Sequence, residues 1–366
     1  MSGYSPKLPG LLGDPNLTLA TDPRIDPRLV EVMTSTWGYG ELDELAVGDG
    51  PGSSHEELLE YFAAYEAMSD PMYAKVFGRL PPAPGVTRRT EVIEGIDGNE
   101  IPLFIHEPAH DGVEAQRPLP GIVHTHGGGM GAFSANDPQY RRWKDELAAR
   151  GMVVVGVEFR NSAGKLGNHV FPAGLNDCAG ATRWTAANKD ALGISHIVVS
   201  GESGGGNLCL ATALKARREG WIDQIAGVYA YCPYLAGPGA YDAPPPELMS
   251  LRENAHMAAP GMLAAFGKIY DPDGDHARNP LAWPYRATAA DLAGLPPHTI
   301  SVNELDPLRD EGLVYARKLM AAGVPTISRT VNGTVHGGDT EVMVGAMPDV
   351  YGATIRDIHG FAASLS

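Results

Sequence analysis

The chain has no uninterrupted apolar run of the ~20 residues that a membrane-spanning helix needs. Its opening stretch, Met1 to Leu12, carries Pro6, Lys7 and Pro9 where a signal peptide would have an apolar centre. A soluble, cytoplasmic protein is the expectation. Basic residues are scarce: 28 Lys and Arg stand against 44 Asp and Glu, a formal charge of −16. Nucleic acid and anionic membrane both require a basic surface, so neither is expected as a partner. Cysteine is rarer still, with only Cys178, Cys209 and Cys232, none in Cys-x-x-Cys spacing and all in segments that read as helix, helix and strand. Buried thiols in a reducing compartment are expected, not a disulfide or a metal centre. His124 and His126 alternate along one strand without a third ligand at suitable spacing, so they read as structural hydrogen-bonding groups. No internal repeat or low-complexity tract is present.

Against these absences stand 366 residues, 43% of them hydrophobic, enough for one large α/β domain with a smaller accessory layer. Residues 1–88 are rich in Pro, Gly, Asp and Glu, with helical patterning at 27–36 and 54–68. Ser53 and Ser54 precede Glu56 and Glu57 in the second, as a helix cap requires. From about residue 89 short β-rich runs take over at 90–94, 101–106, 121–126, 152–159, 196–200, 225–231, 299–302 and 326–331. Helical stretches fall between the later runs at 138–150, 174–189, 205–219 and 309–322, and a last one at 348–364. Alternation of this kind predicts a mostly parallel sheet with helices on both faces, and Asp97-Gly98 joins the first two runs into an antiparallel edge hairpin. Residues 233–296 break the alternation with Pro244-Pro245-Pro246 and an amphipathic piece near 260–270. The expected division is an N-terminal cap segment at 1–88, an α/β core at 89–232 and 297–366, and a cap insertion at 233–296.

The apolar run from Ile197 to Val199 leads into Gly201-Glu202-Ser203-Gly204-Gly205-Gly206-Asn207 and then a helical stretch, the layout of a nucleophile elbow. Ser203 would sit at the apex, needing a base and an oxyanion site. A second cluster, His126-Gly127-Gly128-Gly129-Met130-Gly131, follows another strand and would let backbone N–H groups converge on one point. Its rival is a dinucleotide fingerprint, with Glu158 ending the next strand. A pyrophosphate, however, needs a helix directly behind the glycines, whereas Asn136-Asp137-Pro138 puts the helix start several residues later. Asp306, before the turn residue Pro307, follows the seventh strand, and His336 follows the eighth. The order Ser203, Asp306, His336 is that of a hydrolase triad. Asp310 falls in the first turn of the next helix and reads as a partner of its dipole.

Taken together, His126-Gly127-Gly128-Gly129, Gly201-Glu202-Ser203-Gly204-Gly205-Gly206-Asn207, Asp306-Pro307-Leu308-Arg309-Asp310-Glu311 and Val335-His336-Gly337 resemble the hormone-sensitive lipase family of carboxylesterases. The likeness runs from Asp22-Pro23-Arg24-Ile25-Asp26-Pro27-Arg28 through Ala282-Trp283-Pro284-Tyr285 to the last helix. Glu202 and Gly204 depart from the Asp and Ala that many members carry. The resemblance implies an α/β-hydrolase fold with a helical cap, a serine carboxylesterase acting on small-molecule esters that are short-chain, bulky or lactone, and a homodimer. No metal or organic cofactor is required. Ser203, Asp306 and His336 would be catalytic, and the N–H groups of Gly128, Gly129 and Gly204 would form the oxyanion hole. His126 would brace the glycine loop, and Glu202 would fix the elbow through hydrogen bonds. Trp37, Tyr39, Met130, Phe133 and Met257 are the expected pocket residues. The alternatives are a non-catalytic binder on the same fold, against which His336 weighs, and a related thioesterase or acyltransferase.

Overall fold

The structure is a computed structural model and describes residues 7–35, 52–109, 118–254, 260–340 and 344–365. Its centre is an eight-stranded sheet in the order β1-β2-β4-β3-β5-β6-β7-β8. The strands are β1 (Val86–Glu94), β2 (Glu100–Pro108), β3 (Leu119–Thr125), β4 (Val153–Val157), β5 (Ile194–Glu202), β6 (Gly227–Tyr231), β7 (His298–Asn303) and β8 (Thr326–Val331). Every strand expected from sequence is there, and β1 and β2 do form the antiparallel hairpin. One further antiparallel pairing, β2 with β4, attaches that hairpin to the parallel remainder.

The hydrophobic runs are continuous because both sheet faces are covered, and their period of two sorts them into separate layers. Val123, Val155 and Val199 point to a core shared with helices α4 (Ala173–Ala187), α5 (Ser203–Glu219) and α7 (Arg309–Ala321). Their neighbours Ile122, Val154 and Val198 point the other way, against α3 (Pro138–Ala148) and α8 (Pro348–Ala363), where Trp143, Leu147, Tyr351 and Ile355 fill the space. The edge strands β1 and β8 are largely exposed and carry Arg88, Arg89 and Arg329, charges that discourage pairing with another sheet.

Outside this frame lie helix α1 (Pro27–Ser35), short one-turn helices and two longer helices. Helix α2 (His55–Phe77) opens with the expected cap, Ser54 and Glu57 bonding reciprocally, but runs nine residues beyond the expected end at 68 and through Pro71. Burial of Tyr73 and Phe77 against the Phe133 and Tyr140 cluster outweighs the lost backbone bond. Helix α6 (Pro260–Tyr270), from the 233–296 stretch, meets α2 through Phe62 and Phe266, with ring centroids 4.5 Å apart. No described helix is long and apolar enough to cross a membrane.

Candidate active site

All the loops that carry chemistry leave the same edge of the sheet, the carboxyl ends of the parallel strands. At the end of β5 the chain passes from strand to helix with no connecting residues, so Ser203 takes the left-handed conformation, φ 50°. Such a backbone costs about 1–2 kcal/mol for a residue with a Cβ. It is held because the turn is packed tightly: a Cβ on Gly201 would lie 2.4 Å from the Gly205 carbonyl oxygen, and one on Gly205 would lie 2.1 Å from that of Thr125. The Gly204 N–H belongs to the first helical turn, where amides have no intrahelical acceptor.

His336 comes from the loop after β8 and faces Ser203, its Nε2 3.0 Å from the Ser203 Oγ. Its Nδ1 lies 2.8 Å from Asp306 Oδ2. Asp306 is fully buried, and its other oxygen accepts the Leu308 N–H at 2.8 Å. Burial alone would lower the proton affinity of the imidazole. The carboxylate of Asp306, with those of Glu202 and Glu311, more than offsets this and raises the His336 pKa above the usual imidazole value. Asp310 lies in the first turn of α7, where it pairs with Arg309 and accepts the Ser250 N–H.

The glycine loop after β3 closes the other side. Gly128 and Gly129 have φ 94° and 59°, and Gly204 packs against them so tightly that a Cβ there would lie 2.7 Å from the Gly129 nitrogen. The Gly128, Gly129, Ser203 and His336 residues line one cavity of about 110 Å³. Behind the loop, helix α3 begins only at Pro138, and Glu158 accepts from Ser134 Oγ at 2.6 Å and from the Ala135 N–H at 2.8 Å. That carboxylate serves the loop itself, not a ribose. His126 spends Nδ1 on the Gly127 carbonyl at 2.8 Å and stacks on Phe159, and His124 bonds Tyr231 at 3.0 Å. Glu202 accepts the Tyr140 hydroxyl at 2.9 Å.

Of the expected pocket residues, Phe133 lines the cavity. Met130 does not: at φ 60° its side chain turns into the core cluster beside Val123. Trp37, Tyr39 and Met257 lie outside the described residues. Besides Glu202 and Gly337, the remaining wall comes from residues without any local signature, Tyr65 and Tyr73 on α2, Tyr140 on α3, Tyr234 after β6, and Met262, Leu263 and Phe266 on α6. A wider groove of about 640 Å³ between α4, α5 and the β1–β2 turn contains none of the three triad-spaced residues.

Sequence reasoning also missed how the carboxylate and imidazole loops are supported. The tandem Asp-Pro-Arg segment forms two similar clasps, in which Asp22 accepts the Arg24 N–H at 3.0 Å and Asp26 accepts the Arg28 N–H at 2.9 Å. From the first clasp Arg24 reaches Glu253 and, at 3.0 Å, Asn254, whose amide donates to the Asp306 carbonyl at 3.1 Å. At the second clasp the Asp26 N–H bonds the Gly333 carbonyl, three residues before His336, at 3.0 Å. Ile25 and Leu29 share a buried cluster with Leu305 and Val335, the neighbours of Asp306 and His336. Repetition of a short charged motif was the available signal.

Comparison with known proteins places this geometry. A family model described as alpha/beta hydrolase fold matches residues 122–339. The chain is 33% identical to esterase LipI of Mycobacterium tuberculosis over 323 residues, 86% of this chain and 88% of that one. It is also 33% identical to carboxylesterase NlhH of the same organism over 253 residues, 66% and 73% respectively. Among solved structures, brefeldin A esterase, described as a bacterial homologue of human hormone-sensitive lipase, superposes with a TM-score of 0.86 at 42% identity. The match covers 98% of this chain and 99% of that one.

Proposed function

The chain belongs to the α/β-hydrolase-fold family, among the carboxylesterases related to hormone-sensitive lipase, and on that premise we propose that it hydrolyses short-chain carboxylic esters through an acyl-Ser203 intermediate. The observation that carries the reading is the relay in which His336 stands 3.0 Å from the Ser203 hydroxyl and 2.8 Å from Asp306. The Ser203 Oγ attacks the ester carbonyl carbon while its proton passes to His336 Nε2. Asp306 keeps the imidazole turned and stabilises the imidazolium. Negative charge gathers on the carbonyl oxygen, and the N–H groups of Gly128, Gly129 and Gly204 receive it. Each such donor is worth about 3 kcal/mol of barrier. His336 then protonates the departing alcohol, and water repeats the sequence to release the acid.

The small cavity and its aromatic wall favour a compact apolar group on the ester. The segments 1–88 and 233–296 act as the cap, since α2 and α6 supply Tyr65, Tyr73 and Phe266 to that wall. A non-catalytic binder would have no use for a serine held in a left-handed turn against a raised imidazole.

The test is hydrolysis of p-nitrophenyl acetate by the purified protein and by Ser203→Ala and His336→Ala. Turnover should fall at least about a thousandfold in each. A variant that turns over like the parent removes that residue from the role given. Labelling by an organophosphate, found on Ser203 by peptide mapping, separates the hydrolase from a binder, which would stay unlabelled. Sedimentation velocity tests the homodimer.

A further inference from the structure

We propose that Cys232, Asp306 and His336 together form a binding site for a thiophilic divalent cation, Zn²⁺ or Cd²⁺, and that its occupancy switches the hydrolase off. The second half rests on the triad reading above; the first stands on geometry. The Cys232 Sγ, a carboxylate oxygen of Asp306 and a ring nitrogen of His336 all lie within 4.8 Å of one another. They arrive on three separate loops, after β6, β7 and β8. Metal–donor bonds of about 2.0–2.3 Å in a tetrahedral zinc site set the donors roughly 3.3–3.8 Å apart, so modest side-chain shifts complete the set.

Cys232, in a segment that reads as strand, lies one residue past β6 at φ 36°, where its N–H bonds the Ser301 carbonyl at 2.8 Å. That fixed backbone keeps it beside β7 and so beside Asp306. The other two thiols, Cys178 and Cys209, are buried in α4 and α5, away from this group. Thiolate, imidazole and carboxylate are the donors that zinc and cadmium select, whereas magnesium and calcium prefer all-oxygen sites. Three protein donors leave a fourth position for water.

Inhibition follows from proton bookkeeping on the ring. In the working enzyme Nδ1 carries the proton shared with Asp306, and the Nε2 lone pair accepts from Ser203. An ion bound at Nδ1 takes the electron pair freed when the Nδ1 proton leaves, the ring is reprotonated on the Nε2 lone pair, and the Cys232 thiol proton leaves to solvent. The Ser203 hydroxyl then faces an N–H and has no base. The ion is thus an inhibitor and supplies nothing to the reaction.

The experiment has two arms on the full-length protein stripped of metal with EDTA. In the first, p-nitrophenyl acetate hydrolysis is followed against nitrilotriacetate-buffered Zn²⁺. Inhibition should be complete, reversed by EDTA and absent with Mg²⁺ or Ca²⁺, and Cys232→Ser should raise the inhibition constant at least tenfold relative to its own metal-free rate. In the second, Ser203→Ala, which retains all three donors, is titrated with Cd²⁺. One equivalent should produce the ultraviolet charge-transfer band of a cadmium–thiolate bond, and adding Cys232→Ser or His336→Gln should abolish it. Equal zinc sensitivity in Cys232→Ser, or a band that survives both second substitutions, places the ion elsewhere and overturns the site. The cadmium arm needs no turnover, so a protein inactive on esters that still binds one ion through Cys232 refutes the hydrolase reading and leaves the metal site standing.

Discussion

Replacing Asp306 by Asn tests the relay at its most constrained point. The carboxylate of Asp306 accepts from two sides, from His336 Nδ1 at 2.8 Å and from the Leu308 N–H at 2.8 Å. It is fully buried, so no water can take over either role. An asparagine has one acceptor and one donor end and must give one of these neighbours the wrong group. Turning its NH₂ toward the Leu308 N–H would leave two donors facing each other at a cost of about 1–3 kcal/mol. Turning it toward His336 costs less, because imidazole can move its proton from Nδ1 to Nε2 and accept through Nδ1. The substituted enzyme therefore settles into the tautomer that faces Ser203 with an N–H. A loss of about 10⁴ in kcat is expected, with little change in KM, or about 5 kcal/mol at 1.36 kcal/mol per decade. The pH profile carries a second signature. Because Asp306 helps raise the His336 pKa, the parent should lose kcat/KM as pH falls through a midpoint above 6.5, the ordinary imidazole value. Residual activity of Asp306→Asn should have its acid limb displaced downward. The assay is p-nitrophenyl acetate hydrolysis from pH 4.5 to 9. A loss below tenfold, or an acid limb that stays in place, would refute the reasoning.

Three further substitutions probe the surroundings. In Gly129→Ala the new methyl would stand 2.1 Å from the Phe266 ring at a backbone φ of 59°, displacing a proposed oxyanion donor. The expected kcat loss is about a hundredfold, and Gly129→Ala with Phe266→Ala should recover at least part of it; no recovery in the double variant would assign the loss to backbone strain alone. Arg24→Ala removes one of two arginines from Glu253 and the brace on Asn254, while Arg309 keeps its bond to Glu253 at 3.0 Å. It should cost about 1–3 kcal/mol in urea unfolding and lower kcat more than KM. Unaltered kinetics would show that the brace does not reach Asp306. Tyr140→Phe removes the hydroxyl that donates to Glu202 at 2.9 Å, leaving a buried carboxylate short of a donor. About 1–3 kcal/mol of stability should be lost, read as a lower urea midpoint, and an unchanged midpoint would mean that Glu202 finds another donor.

The strands were legible because a buried parallel sheet writes itself into sequence as short β-branched runs, such as those that hold Val123, Val155 and Val199. Ser203, Asp306 and His336 could be found for a related reason. Parallel topology gathers strand ends at one edge, so each residue needs only a local marker, an elbow, a turn proline or a glycine pair, for its place in space to follow. The pocket wall has no such marker. Tyr65, Tyr73 and Phe266 lie on helices α2 and α6, where an aromatic toward a cavity and one toward a core have the same spacing, and Met130, in the glycine loop, packs into the core through a positive φ that has no sequence marker. The end of α2 was misread because Pro71 is a local signal, whereas the burial of Tyr73 and Phe77 that overrides it is long-range.

The supports of the triad show where local reading stops. Arg24 meets Glu253 across 229 positions, and Cys232 reaches Asp306 and His336 across 74 and 104. Nothing near 232 in the chain distinguishes it from an inert thiol, and the repeated Asp-Pro-Arg motif around 24 marks the arginine without saying what it meets. Their significance arises only when the loops after β6, β7 and β8 are brought side by side with the N-terminal segment beneath them. It follows that the chemistry and its control are encoded differently. The groups proposed to react are fixed by short motifs at strand ends. The groups that hold those loops in register, and the thiol that gives a metal ion access to their proton relay, are fixed by the packing order of the strands. Substitutions of the first kind should abolish turnover, whereas those of the second should shift its pH profile, its metal sensitivity or its stability.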